Sequence, residues 1–172
     1  MRADTPNSAG PRTNRRMVGS TKTSNPKLFR GERARAQYGW VKEPIELSPA
    51  RCLELLSSFE VGRVALCTDT GPLVWPVNYS MVEDDIVFRT SPHSLLGTMA
   101  WNSRLAFEVD RIDLDREEGW SVLATGTGEM VEDPDELGLI RTFRDPHPWA
   151  GGSTRLLYVR LRWVGLTGRE LG

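Results

Sequence analysis

The pattern of apolar and polar residues divides the chain near residue 47. Upstream of this point apolar residues are sparse, whereas downstream they recur in short alternating runs separated by turn-forming residues. Apolar residues at every second position indicate strands with one buried face. We therefore predict strands over residues 63–67, 73–79, 86–90, 105–110, 120–129 and 157–163. Because these strands follow one another closely, we expect a mainly β fold of six to seven antiparallel strands, forming a small closed or split barrel.

Three short helices are predicted between the strands from their N-terminal signals. Ser48 and Ser91 each precede a proline, and Asp133 does the same at the third site. A capping Ser or Asp followed by Pro at the first helical position is a common way for a helix to begin. The apolar faces expected for these helices are Leu53, Leu56 and Phe59, then Leu95, Leu96 and Met99 facing inward, then Leu137, Ile140 and Phe143.

Proline and glycine mark two irregular places in the predicted strands. Pro76 interrupts the second strand, and because proline lacks an N–H group, we expect this residue at a sheet edge, in a bulge or facing a ligand. Gly126 and Gly128 suggest a β-bulge in the fifth strand. They lack the third glycine and the following helix of a dinucleotide-binding loop.

Charge supports the same division of the chain into two parts. Residues 1–42 hold 10 of the 22 Lys and Arg and 2 of the 23 Asp and Glu, while residues 43–172 hold 12 basic and 21 acidic residues. We predict a flexible basic N-terminal arm over residues 1–42 and one domain over residues 43–172. A basic arm can bind nucleic acid, but because aromatic residues are few we favour an arm that contacts its own acidic domain. A start at Met17 would remove part of the arm.

Several classes of protein are disfavoured by composition. The chain of 172 residues has no apolar run near the roughly 20 residues of a membrane span. Its two cysteines, Cys52 and Cys67, are too few for a disulfide framework, and we expect buried thiols in a cytoplasmic protein. Its two histidines, His93 and His147, have no accompanying metal-ligand spacing, so a zinc centre is not expected.

The end of the third predicted strand is a candidate phosphate site. Arg89 and Thr90 immediately precede the predicted helix start at Ser91, and Ser94 follows within one turn. A helix N-terminus offers free N–H groups to an anion, and an arginine can bind it through two hydrogen bonds. The alternative is a helix that caps itself beside a surface arginine, and the spacing alone does not exclude it.

Six segments in the same order resemble the pyridoxamine 5'-phosphate oxidase-like proteins, most closely their actinobacterial, nitroimidazole-resistance-like branch. The segments are residues 61–65, 76–79, 87–90, 105–110, 119–122 and 148–150, and residues 164–169 continue the likeness to the end. The resemblance spans residues 47 to 169 and omits the arm. It implies an FMN-binding split barrel that forms a homodimer, with flavin sites at the subunit interface.

The resemblance also implies which residues bind the cofactor. Pro76, Val77 and Asn78 would line the flavin ring, and Arg89, Thr90 and Ser94 would hold the phosphate. The positions expected to reach the cofactor from a neighbouring strand or subunit, or to close its pocket, are Trp120, Ser121 and Trp149.

One position departs from the family pattern. Leu95 stands where relatives commonly carry a basic residue that grips the phosphate, and Arg89 or Arg63 could substitute for it. Taken together, the resemblance implies an FMN-dependent oxidoreductase acting on a small organic molecule. A non-catalytic or stress-related protein on the same fold, binding flavin, deazaflavin or haem, is the alternative.

Overall fold

The computed structural model describes residues 43–147 and 154–171. The predicted arm, residues 1–42, and Trp149 lie outside these residues. Within the described ranges the strands are β1 (Ile45–Glu46), β2 (Val61–Thr68), β3 (Gly71–Val82), β4 (Asp85–Thr90), β5 (Arg104–Asp113), β6 (Glu118–Met130) and β7 (Leu157–Leu171). The helices of the same ranges are α1 (Pro49–Ser57), α2 (Leu95–Met99) and α3 (Pro134–Phe143).

The strands form one antiparallel sheet that closes on itself. Their order is β1-β7-β4-β3-β2-β5-β6, and an additional pairing of β6 with β7 closes strands β2 to β7 into a barrel. The two-residue β1 adds to the other side of β7. Closure satisfies backbone hydrogen bonds that an open sheet would expose at its edges. The predicted barrel of six to seven antiparallel strands is confirmed.

The barrel core follows from the alternation within each strand. Val64 and Leu66 of β2 and Phe107 of β5 point inward and are almost fully buried, while their neighbours in sequence point outward. Cys52 lies on the buried face of α1, as predicted, but Cys67 is exposed. The prediction of two buried thiols was therefore wrong for Cys67, because this residue lies on the outward face of β2.

Helix α1 covers one part of this core. Ser48 is its N-cap, with Oγ accepting a hydrogen bond from the Arg51 N–H at 3.3 Å, and Pro49 is its first residue, both as predicted. Its buried face consists of Cys52, Leu55 and Leu56. Leu53 is only half-buried and Phe59 lies beyond the helix, so only Leu56 of the three expected residues is buried in the core.

Helix α2 begins three residues later than predicted. Ser94, not Ser91, is its N-cap: Ser94 Oγ accepts from the Gly97 N–H at 3.0 Å and donates to the Ser91 carbonyl at 2.7 Å. A Cβ atom on Gly97 would lie 2.1 Å from the Ser91 oxygen, so this close turn requires glycine. Leu95 is 49% exposed rather than facing inward, whereas Leu96 is buried as expected.

Helix α3 and the glycine-containing strand β6 agree with the sequence prediction except at Phe143. Asp133 caps α3 by accepting hydrogen bonds from the N–H groups of Asp135 and Glu136, and Ile140 is buried. The register of β6 against β7 shifts between Thr125 and Gly126, which confirms the predicted bulge. Phe143, at the end of α3, is 72% exposed, so its predicted place on the apolar face of the helix was wrong.

Candidate functional site

Strand β3 leaves most of one edge unpaired within the described part of the chain. Residues Gly71–Asn78 pair with β2 on one side, but pairing with β4 on the other side begins only at Tyr79. We call Gly71–Asn78 the free edge of β3. Pro76 lies on this edge, which is the first of the three predicted alternatives.

The backbone groups that face outward along the free edge can be assigned from the ladder. The Tyr79 N–H donates to the Glu60 carbonyl at 2.9 Å. Because backbone groups of successive residues point to opposite sides of an antiparallel strand, those of Val74, Pro76 and Asn78 point away from β2. Pro76 has no N–H, so the edge presents the carbonyl of Pro76, both backbone groups of Val74 and the N–H of Asn78. This arrangement can bind a planar ring that carries both hydrogen-bond donors and acceptors.

The side chains predicted to line a flavin ring alternate between two faces. Pro76 is exposed and Asn78 half-exposed on the outer face, whereas Val77 is 4% exposed and belongs to the barrel core. Only Pro76 and Asn78 therefore offer side chains to an outer site, and Val77 supports the strand from within.

Arg63 lies directly across from Pro76 on β2. Its Nη1 donates to Asp110 Oδ1 at 2.5 Å and to Glu108 Oε2 at 2.9 Å, both on β5. The hydrogen bonds to these two carboxylates raise the pKa of the Arg63 guanidinium, and the bond to Asp110 has the larger effect. The side chain is 53% exposed, so water screens the pairs. An arriving phosphate would have to compete with both carboxylates.

The residues predicted to hold a phosphate are divided between the two faces of β4. Thr90 is 6% exposed, and its Oγ1 lies 3.0 Å from Ser94 Oγ at the start of α2. Arg89 points to the opposite face, where its Nε donates to the Arg155 carbonyl at 2.9 Å and its Nη1 pairs with Asp145 at 3.1 Å. The structure thus brings Thr90 and Ser94 together but does not bring Arg89 to them. The first sequence alternative, a phosphate site that joins Arg89 to the start of the helix, is not formed in this structure. The second, a self-capped helix beside a surface arginine, is met only in its first half, because α2 is self-capped but Arg89 is mostly buried.

Trp120 and Ser121 lie on β6 with opposite orientations. Trp120 packs edge-to-face against Phe59, with ring centroids 4.9 Å apart. Ser121 is exposed and pairs across the sheet with Asp110 and Arg169. On the outer face, Ser121 therefore belongs to the same stretch of sheet as Arg63 and Asn78, whereas Trp120 contributes to packing.

A groove of about 560 Å³ lies beside the paired half of β3. We call it the α3 groove. Its lining residues are Ser57, Phe59, Glu60, Tyr79, Ser80, Met81, Glu83, Arg141, Thr142, Phe143, Arg144, Asp145 and His147. Ser80 lies on the same strand face as Asn78, two residues or roughly 7 Å further along β3. The free edge therefore leads into the groove.

Hydrogen bonds fix the floor and the wall of the α3 groove. On the floor, Tyr79 Oη donates to the Leu56 carbonyl at 2.6 Å, and burial raises the pKa of Tyr79 well above its ordinary value. On the wall, Ser80 Oγ donates to the Arg144 carbonyl at 2.5 Å. Tyr158 Oη donates to Asp145 at 2.9 Å. The pKa of Tyr158 is raised, mainly by burial and to a lesser extent by this hydrogen bond.

The groove carries charges of both signs. Arg141 lies over the Tyr158 ring at 5.4 Å, and neither Arg141 nor Arg144 has a carboxylate within 4 Å among residues 43–147 and 154–171. The carboxylate of Asp145 is shared by Arg89 and Tyr158. The groove can therefore bind the anionic group of a small molecule at its two arginines.

Sequence analysis did not predict this groove. Of its lining residues it considered only Phe59, Tyr79, Phe143 and His147, and it assigned them to helix faces, to a strand or to a rejected zinc centre. They come from three segments, near residues 57–60, 79–83 and 141–147, that only the fold brings together. The one local signal is the pair of arginines that ends the predicted third helix. Across the described ranges there is no cluster of three potential metal ligands and no helix long and apolar enough to cross a membrane.

Comparison with known proteins places these features in a family. The family model for pyridoxamine 5'-phosphate oxidase matches residues 48–170. An uncharacterized protein of Mycobacterium tuberculosis is 32% identical over 120 residues, which are 67% of this chain and 78% of that protein.

Two solved structures from Mycobacterium smegmatis share the fold. The FAD-binding protein is 28% identical with a TM-score of 0.63, and the match covers 73% of this chain and 97% of that chain. The FAD- and haem-binding protein is 19% identical with a TM-score of 0.59, and the match covers 73% of each chain. The second likeness shows the fold alone.

Proposed function

The chain belongs to the pyridoxamine 5'-phosphate oxidase family, as its sequence resemblance predicted, and we propose that it is a flavin-binding oxidoreductase acting on a small organic substrate. The observation that carries this proposal is the free edge of β3, which leads into the α3 groove on the same strand face. A cofactor held at the edge would stand beside a molecule held in the groove. The FAD-binding relative at 28% identity supports a flavin.

The free edge fits the ring of a flavin. The polar rim of that ring carries hydrogen-bond donors and acceptors, and the backbone groups of Pro76 and Asn78 offer their complements. These residues would hold the ring, and bound flavin would supply hydride transfer, chemistry that the protein need not provide itself. We propose FMN as the flavin; the alternative cofactors are FAD, deazaflavin and haem.

The cofactor phosphate has two alternative positions because Arg89 and Thr90 lie on opposite faces of β4. One uses the hydroxyls of Thr90 and Ser94, and the other uses Arg89 after it leaves Asp145. Loss of a charge-assisted hydrogen bond of about 1.5–3 kcal/mol weakens binding about 10- to 100-fold. Arg89→Gln and Ser94→Ala therefore distinguish the two positions, since only the variant that touches the phosphate loses affinity for FMN but keeps affinity for riboflavin.

The α3 groove is the proposed substrate site. Arg141 and Arg144 would bind an anionic group of the substrate, and the aromatic rings of Phe59 and Phe143 would contact its apolar part. Tyr79 keeps its proton because its pKa is raised by burial. It therefore serves to hold the groove floor and not to transfer a proton.

The proposed function is tested on the purified full chain. Its absorption spectrum separates flavin from haem, and mass spectrometry of the released ligand separates FMN from FAD and deazaflavin. We expect a flavin spectrum, or uptake of added FMN by ligand-free protein, followed by reduction of the bound flavin with a nicotinamide donor. Protein that binds none of the flavins contradicts the proposal. Flavin that binds but is never reduced favours a non-catalytic cofactor-binding protein.

A homodimer is part of the proposal and has a separate test. The resemblance predicts flavin sites at a subunit interface, where the exposed Ser121 would face the cofactor of the partner subunit while Trp120 packs against Phe59. Light scattering coupled to size-exclusion chromatography should give twice the 19.3 kDa mass of the chain. A monomer that still binds flavin would contradict the interface and leave the flavin site intact. The cytoplasmic location stays a prediction.

A further inference from the structure

Helix α3 has its own small hydrophobic cluster. The buried residues of this cluster are Val87, Val131, Ile140 and Tyr158, with Val82 and Leu137 packed against them. It is separate from the barrel core, which contains 18 buried residues. Ile140 is the one fully buried residue of α3. The helix that forms one wall of the α3 groove is therefore held to the barrel by little apolar contact.

Polar contacts at both ends of α3 add to this attachment. At its C-terminal end, Ser80 Oγ binds the Arg144 carbonyl. At its first turn, Glu136 Oε1 accepts a hydrogen bond from Nη2 of Arg160 on β7. The Arg160 side chain is only 11% exposed, and its Nε lies 3.5 Å from Asp85 Oδ2 at the start of β4. Arg160 thus connects β4 to the first turn of the helix.

We propose that Arg160 is a positioning residue, which holds α3 through Glu136 and thereby fixes the wall of the α3 groove that carries Arg141 and Arg144. That Arg160 helps to hold the helix follows from its own contacts and does not depend on the proposed function. Its effect on a substrate rests on the proposed function of the groove.

The geometry predicts a local effect when this contact is broken. Removing Glu136 leaves the mostly buried Arg160 guanidinium with Asp85 as its one remaining carboxylate among the described residues, so less of its desolvation cost is offset. Helices with few buried contacts open independently of the main core. Loss of the Glu136 charge should therefore loosen α3 while the barrel strands keep their stability.

Amide hydrogen exchange of the full chain tests the attachment. In Glu136→Gln we expect the protection of amides in residues 137–143 to fall about tenfold, with β2, β5 and β6 unchanged. Asp135→Asn is the matched control. This substitution removes the same charge from the same helical turn, but Asp135 does not contact Arg160. Equal exchange in the two variants overturns the proposal, and so does an equal loss of protection throughout the barrel.

A second pair of variants removes the charge from the strand side. Arg160→Met should repeat the local effect, whereas Arg162→Met, on the same strand, should not, because Arg162 pairs with Glu129 and Asp85 and does not contact α3. If Arg160→Met does not fold, Glu136→Gln alone decides the question.

Kinetics of the flavin-loaded protein test the positioning role. Glu136→Gln should raise KM for the substrate several-fold and leave both kcat and the affinity for FMN unchanged. Loosening of α3 without a change in KM overturns the positioning role. Wild-type protein that binds no flavin refutes the proposed function instead, and the exchange experiment still decides whether Arg160 holds the helix.

Discussion

Tyr79 joins the end of α1 to β3 and offers a quantitative test of the groove floor. Its side chain is 2% exposed, its ring packs edge-to-face on Phe107 at 4.8 Å, and its hydroxyl donates to the Leu56 carbonyl. Leu56 lies in the last turn of α1, where carbonyl groups lack helical partners. Tyr79→Phe removes this hydrogen bond and keeps the ring. At neutral pH the buried carbonyl is then left unpaired, which should lower the free energy of unfolding by about 1–3 kcal/mol.

The pH dependence of this difference follows from the pKa of Tyr79. Burial raises the pKa in the folded protein, while the unfolded chain has a value of about 10. A raised folded pKa contributes stability below the unfolded pKa and loses it as pH rises above that value. From pH 9 to pH 11 the wild-type protein should therefore lose about 1.4 kcal/mol that the Phe variant does not lose.

Urea denaturation of both proteins at pH 7, 9, 10 and 11 measures the effect. Because other groups titrate alike in the two proteins, the difference between their free energies of unfolding isolates Tyr79. We expect this difference to be constant up to about pH 9 and to shrink by about 1.4 kcal/mol at pH 11. A difference that stays constant to pH 11 would refute the claim that the hydroxyl is desolvated, and no loss at neutral pH would refute the hydrogen bond.

Two further predictions concern glycine packing and cofactor affinity. Gly128→Ala should destabilise the fold by about 2–4 kcal/mol, because the new Cβ would lie 2.0 Å from the Ala100 carbonyl oxygen. The control Gly138→Ala, which has open space around it on α3, should stabilise by about 0.5–1 kcal/mol in the same thermal unfolding measurement. Leu95→Lys should tighten FMN and leave riboflavin unchanged in a fluorescence titration if the phosphate lies near Ser94, and equal affinity would place the phosphate elsewhere.

The fold could be predicted from the sequence where local signals decide the structure. Alternation marked the strands, and Ser48 and Asp133 are the N-caps that their sequence context indicated. The start of α2 was missed because Ser91 and Ser94 have the same capping chemistry. The choice depends on whether the chain at Gly97 can approach the Ser91 carbonyl, which no local pattern reveals.

The candidate site could be predicted only in part, since its contacts join distant segments. The edge position of Pro76 follows from its missing N–H group. The partner of Arg89 could not be predicted from local sequence, because Asp145 is 56 residues away and reaches Arg89 only after β7 has paired with β4. The sequence prediction also placed Arg89 and Thr90 at one phosphate site, although adjacent residues of a strand point to opposite faces.

The use of charge in the domain indicates where an anion can bind. All three lysines lie within residues 1–42, so arginine is the only strong base of residues 43–172. Arg63, Arg89 and Arg160 each contact a carboxylate, and an anion that binds them must displace it. Arg141 and Arg144 have no such contact among the described residues, and both line the groove that adjoins the free edge of β3. An anionic substrate can therefore bind at the α3 groove without breaking an ion pair, whereas a cofactor phosphate at Arg89 must first release Asp145.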